Sequence, residues 1–217
     1  MTVPPFQESM RKRIYILAGD LHRHIGLFLS PFVLLFAVSV ILLNHPGIPL
    51  GTPAESQARS VQVHSIPGLE KLEGMARVQH ARQILRQAGL SGEIGPIGYS
   101  SRDGRLTIPV SRPGYEAVVE VTAPTGLASI RERKTGFWDS LIYLHKMPGP
   151  HLANIRGNWL VMRVWAWSAD GTAWLAIFLS VSGVYLWAVL RSERHVGVFL
   201  ILAGAISLVG SLYAICG

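Results

Sequence analysis

From Ile25 to Leu43 the chain carries no charge and almost nothing polar. A helix of that length covers about 30 Å of hydrocarbon, so this run predicts a membrane span. It is longer than the apolar part of a cleavable signal, and no small-x-small site precedes Pro46, so it reads as a retained anchor. Arg11-Lys12-Arg13 and Arg23 stand just before it and predict a cytoplasmic N-terminus. Pro31 lies within the span and predicts a kink.

Two further apolar stretches follow the same logic. Residues 159–190 predict a second helix, with Trp159, Trp165 and Trp167 at one interface and Tyr185 and Trp187 near the other. Residues 196–216 predict a third, rich in small residues such as Gly204, Ser207 and Gly210 that permit close helix packing. The expected order is a cytoplasmic tail over 1–13, spans over 14–44, 159–190 and 196–216, a cytoplasmic turn over 191–195, and a translocated domain over 45–158. Taken alone, a net charge of +7 suggests nucleic acid. Residues 46–158 carry 13 Lys/Arg against 9 Asp/Glu, and much of the remaining positive charge flanks the spans, so nucleic-acid binding is set aside.

Within 45–158, the stretch from His45 to Gly68 is rich in Pro, Gly and Ser and reads as irregular. Met75, Val78, Ala81, Leu85 and Ala88 recur at helical spacing, and Gly89 follows as a C-terminal stop. Runs at Ile94–Tyr99, Arg105–Val110, Glu116–Val121 and Leu127–Ile130 are separated by Asp103-Gly104, Pro113-Gly114 and Pro124-Thr125-Gly126. That pattern predicts strands joined by turns, hence a small α+β domain.

No glycine-rich phosphate loop, zincin motif or nucleophile elbow is present. The single cysteine, Cys216, excludes an intrachain disulfide and a thiolate metal cluster. The chemistry left is that of eight histidines, six of them near predicted membrane boundaries. His22, His24 and His195 fall on the inner side, and His45, His145 and His151 on the outer. Imidazole is the axial ligand of b-type haem, and two imidazoles on one iron would come from His22 with His195, or from His45 with His145 or His151. The plainer reading makes them interfacial polar residues. His22 and His24, two apart, cannot serve one site from a regular helix. A metal held by His145 and His151 alone would be a poor site. Gly19, His22 and Gly26 share one helix face and leave a flat slot for a neighbouring helix or a planar ligand. Asp170, at a cost of roughly 3 kcal/mol if unpaired at depth, would orient a histidine from behind or pair with Arg163.

An ordered set of motifs carries a resemblance. It runs Leu21-His22-Arg23-His24-Ile25-Gly26-Leu27, Leu42-Leu43-Asn44-His45, Val119 to Gly126, Arg133-Lys134-Thr135-Gly136-Phe137-Trp138, Tyr143-Leu144-His145-Lys146, Trp167 to Asp170, and Ser182 to Trp187. The chain resembles the PepSY-associated transmembrane helix family of bacterial inner-membrane proteins. The resemblance implies a PepSY-like periplasmic α+β domain between spans one and two. Some relatives look like haem-containing reductases of ferric siderophores. His22 and His145 match the family's recurrent histidines, His45 matches less strictly, and His24 stands where the family often has tryptophan.

The expectation is therefore a multi-pass protein of the bacterial inner membrane acting as a b-type cytochrome-like electron-transfer or reductase component. His22, His45, His145 and His195 would be haem ligands, with Asp170, Gly19 and Gly26 around them. Electrons would pass from quinol or a redox protein to a periplasmic ferric complex or protein. The alternative is a non-catalytic membrane subunit whose PepSY-like domain binds or regulates a periplasmic partner.

Overall fold

The structure is a computed structural model that describes residues 5–45, 55–64, 71–122, 125–147, 149, 154–190 and 194–216. In chain order the elements are α1 (Pro5–Asn44), β1 (Glu55–Gln62), α2 (Gly74–Gln87), β2 (Glu93–Ile94), β3 (Gly98–Ser100), β4 (Arg105–Arg112), β5 (Tyr115–Thr122), β6 (Leu127–Lys134), α3 (Phe137–Lys146), α4 (Leu160–Leu190) and α5 (Arg194–Cys216). Three of these helices, α1, α4 and α5, are long and apolar enough to cross a membrane. Helix α1 starts at Pro5, earlier than the expected tail allowed, because proline is well suited to a first helical turn. It continues through Pro31.

The chain divides into two compact units, Met1–Pro31 with Thr172–Gly217, and Phe32–Gly171. In the first, α1 and α4 run antiparallel. Gly19 faces Leu186 and Gly26 faces Leu179, each glycine leaving a Cβ-sized space 3.9 Å from the leucine Cδ2. Helix α5 is exposed along its described length except at Gly197, which is partly covered. A Cβ there would overlap the indole of Trp187, so glycine is what lets the ring lie against the α5 backbone.

The second unit is built on a six-stranded antiparallel sheet of order β1-β6-β5-β4-β2, with β3 also pairing with β4. Ile108, Val119 and Ile130 are directly opposite one another across β4, β5 and β6, and each is 0% exposed. Val78, Ala81, Ile84 and Leu85 of α2 are buried in the same core, which removes apolar area from water at about 25 cal/mol per Å². Helix α2 ends as its sequence dictates: Gly89 takes φ 71°, its N–H donates to Arg86 O (3.1 Å), and Leu90 N–H donates to Leu85 O (2.8 Å). The β4–β5 hairpin turns on Pro113 and Gly114, the latter at φ 75°.

Three expectations are corrected here. The span expected to be irregular contains β1, whose polar sequence is held by antiparallel pairing with β6 over eight residues. The single strand expected at Ile94–Tyr99 is two short ones, parted at Gly95-Pro96, where Gly95 N–H still reaches Pro109 O at 2.9 Å. Met75, expected on the buried face of α2, is exposed, and Ile84 is buried instead. Helix α3 was not anticipated.

Candidate functional site

In the first unit the face formed by Gly19, His22 and Gly26 is met by α4, so the slot between the glycines takes a helix. His22 is half-buried, and its Nδ1 lies 2.8 Å from Oγ of Ser182, a residue only 7% exposed. Ser182 Oγ also lies 3.2 Å from the carbonyl oxygen of Leu179, one turn earlier on its own helix. Gly183 makes room for the ring: a Cβ there would sit 3.4 Å from His22 Cε1. Neither Ser182 nor Gly183 had been singled out as a site residue, although both stand in the motif Ser182 to Trp187. His195 is exposed in the first turn of α5, with no hydrogen bond to His22. His24 bonds within its own helix, Nδ1 to Asp20 O at 2.6 Å, and Arg23 pairs with Asp20.

The second unit repeats the arrangement around His145. Helix α3 ends at Lys146, which places His145 in its last turn. The imidazole Nδ1 is 3.0 Å from Oγ of Ser39, and Ser39 is 0% exposed. Ser39 Oγ in turn lies 2.7 Å from the carbonyl oxygen of Phe36. The Phe36 ring meets His145 edge-on, centroids 6.0 Å apart, and packs on Trp165 at 5.8 Å. The Trp165 indole N–H donates to Leu144 O at 2.9 Å, which ties α4 to α3 beside the histidine. His45 is exposed and bonds to its own helix, Nδ1 to Ile41 O at 3.0 Å. Asp170 is exposed and takes part in no ion pair among the described residues. Arg163 instead lies over the Trp167 ring, 5.8 Å from its centroid. The pairing of His145 with His151 lies outside the described residues. Among the described residues no group of three or more His, Cys, Asp or Glu side chains is placed to hold a metal ion.

A buried carboxylate that the sequence reading passed over lies in the same unit. Glu93 is 2% exposed and accepts from the N–H groups of Gly157 (2.6 Å), Asn158 (3.2 Å) and Trp159 (2.8 Å), just before α4 begins. Burial pushes its carboxyl above the ordinary 4.5, against the pull of those three N–H groups and of Arg82. Asn158 completes the joint: its Oδ1 accepts from Ile94 N–H (3.0 Å) and its Nδ2 donates to Ile94 O (2.8 Å), so it continues the edge strand β2. The only sign in the sequence was a lone acid in the apolar and glycine context Gly92-Glu93-Ile94-Gly95.

Between α3 and the outer face of β4 and β5 lies an open cleft of about 400 Å³, bordered by Glu116, Arg133, Asp139, Ile142, Tyr143 and Lys146. Burial raises the Tyr143 phenol, whose hydroxyl donates to Ser111 O at 3.3 Å.

Chemically, the two helix-borne histidines offer ring nitrogens in defined orientations beside buried serines, with an aromatic ring also against His145. No curated protein and no solved structure matches the chain. The family model described as "Putative PepSY_TM-like" matches residues 16–215, a stretch that takes in both histidine sites, the sheet and most or all of each apolar helix. The chain belongs to the putative PepSY_TM-like family.

Proposed function

We propose that this protein is a b-type cytochrome-like electron-transfer or reductase component of the bacterial inner membrane. The observation that supports it is the placement of His22 and His145. Each is fixed through Nδ1 to a buried serine on another helix, and in each Nε2 has no hydrogen-bond partner among the described residues. That donor chemistry fits an axial ligand of haem, with His195 and His45 as the candidate second ligands for an inner and an outer site. Haem would supply one-electron transfer at an imidazole-held iron. The residues of the chain orient the ligands, and Phe36, itself packed on Trp165, lies edge-on against the His145 ring. The basic run Arg11-Lys12-Arg13 supports a cytoplasmic N-terminus and, with it, a periplasmic sheet domain. No nicotinamide or flavin motif occurs in the sequence, so the donor is quinol or a redox protein, and the acceptor is a periplasmic ferric complex or protein.

The test is an absorption spectrum of the detergent-purified protein, oxidised and then dithionite-reduced, with haem quantified per chain. A b-type α-band that appears on reduction and is lost in His22→Ala or His145→Ala supports the proposal. A colourless protein from haem-replete cells overturns it.

The charged cleft beneath α3 favours a second reading, in which the sheet domain binds a periplasmic partner and the histidines only pack helices. On that reading His22→Ala and His145→Ala leave partner binding unchanged, whereas Lys146→Glu weakens it.

A further inference from the structure

Each of the two serines contacts two groups at once, and both contacts can be hydrogen bonds together in only one set of directions. Ser39 Oγ is 2.7 Å from Phe36 O and 3.0 Å from His145 Nδ1. Ser182 Oγ is 3.2 Å from Leu179 O and 2.8 Å from His22 Nδ1. A backbone carbonyl has no proton to give, and a hydroxyl has one. For both to form, the serine proton goes to the carbonyl three residues back, a habit of serine within helices. What remains on Oγ is a lone pair, and the imidazole must donate to it. The same polarity rules out a serine nucleophile, because the histidine would then have to accept the hydroxyl proton.

We infer that Ser39 and Ser182 are positioning residues that hold His145 and His22 as Nδ1–H tautomers, with Nε2 presented as the metal-ligating atom. The inference rests on the haem reading for its use, but the tautomer stands on the geometry of the serines. The device is built twice, once in each unit: a helical serine, its carbonyl at i−3, and a histidine from another helix. His24 and His45, by contrast, bond to the carbonyl four residues back on their own helix, which fixes a rotamer without help from a second element. The acceptor chosen is also informative. A hydroxyl already donating is a weaker acceptor than a carboxylate, so it orients the ring without giving it imidazolate character. Partners behind a ligating histidine tune its basicity in this way. A neutral partner therefore keeps the reduction potential of the site higher than a carboxylate would.

The experiment uses the full chain with ¹⁵N-labelled histidine in lipid nanodiscs, first as isolated and then after titration with haemin. Loss of a resonance in His22→Gln or His145→Gln assigns each ring. The expected result is a protonated Nδ1 and a lone-pair-bearing Nε2 for both rings in the haem-free protein. Ser39→Ala should remove that pattern for His145 alone, and Ser182→Ala for His22 alone. Ser→Thr, which keeps the hydroxyl, should restore it. With haem bound, each Ser→Ala variant should retain haem roughly tenfold less tightly. Ser39→Asp should lower the midpoint potential of the His145 site. A protonated Nε2 on either ring in the wild type overturns the inference. Ser→Ala variants whose ring resonances, haem retention and potential all match the wild type overturn it too. If haemin does not bind the wild type while the Nδ1–H pattern is present, the haem reading fails and the tautomer assignment stands.

Discussion

The carboxylate of Glu93 accepts the backbone N–H of Trp159 at 2.8 Å, which fastens the edge strand β2 to the residue before α4 starts. Together with the bonds from Gly157 and Asn158 this is a helix N-terminus capped from sixty-odd residues away, where a local Ser or Asp would ordinarily serve.

Glu93→Ala leaves these N–H groups without their acceptor and is expected to destabilise the sheet unit by about 3 kcal/mol. The carboxyl also sets a pH dependence. Its folded-state value lies above the ordinary 4.5, so the folded chain binds the proton more readily than the unfolded chain. Stability should therefore rise as pH falls from neutral through the raised value, and level off below the ordinary one. Thermal unfolding in detergent across that range should show the rise in the wild type and its loss in Glu93→Gln.

Gly183 gives the His22 ring its space. Gly183→Val should destabilise the α1–α4 pair by about 1–3 kcal/mol through overpacking. In the same protein the His22 resonances should broaden or shift while those of His145 stay in place.

Trp187 lies against Gly197 and its indole N–H is buried without a hydrogen-bond partner among the described residues. Gly197→Ala should therefore lower the melting temperature. With Trp187→Ala already present, the same change should cost far less, a coupling that a double-mutant cycle reads directly.

The row Ile108–Val119–Ile130 should be the most sensitive part of the sheet. Ile108→Ala is expected to cost about 2–5 kcal/mol. Leu208→Ala on the exposed α5 should cost less than about 0.5 kcal/mol. Denaturation of the two variants in one detergent makes the comparison.

Cys216 is exposed at the end of α5 and is the only cysteine in the chain. In the proposed orientation, with a cytoplasmic N-terminus and three spans, it would face the periplasm. A membrane-impermeant maleimide should label it on intact spheroplasts to the same extent as after lysis. Labelling that requires lysis would reverse the orientation.

What the sequence determined by itself is whatever depends on neighbours along the chain. Uninterrupted apolar length made α1, α4 and α5. Helical spacing with a terminal glycine made α2 and its cap, and turn dipeptides such as Pro113-Gly114 separated the strands. His22 and His145 were legible as candidates from residue type and position. Tertiary structure decided the rest. The strand β1 reads Glu-Ser-Gln-Ala-Arg-Ser-Val-Gln, with no apolar alternation, and is extended because β6 supplies its hydrogen bonds. Glu93 is one acid among 13 Asp and Glu until the approach to α4 encloses it. Ser39 and Ser182 look like ordinary helical serines, and only helix packing brings a ring nitrogen to each. Local pattern carries the information for elements held by their own backbone bonds, whereas a site made across elements exists only once packing sets which side chains meet.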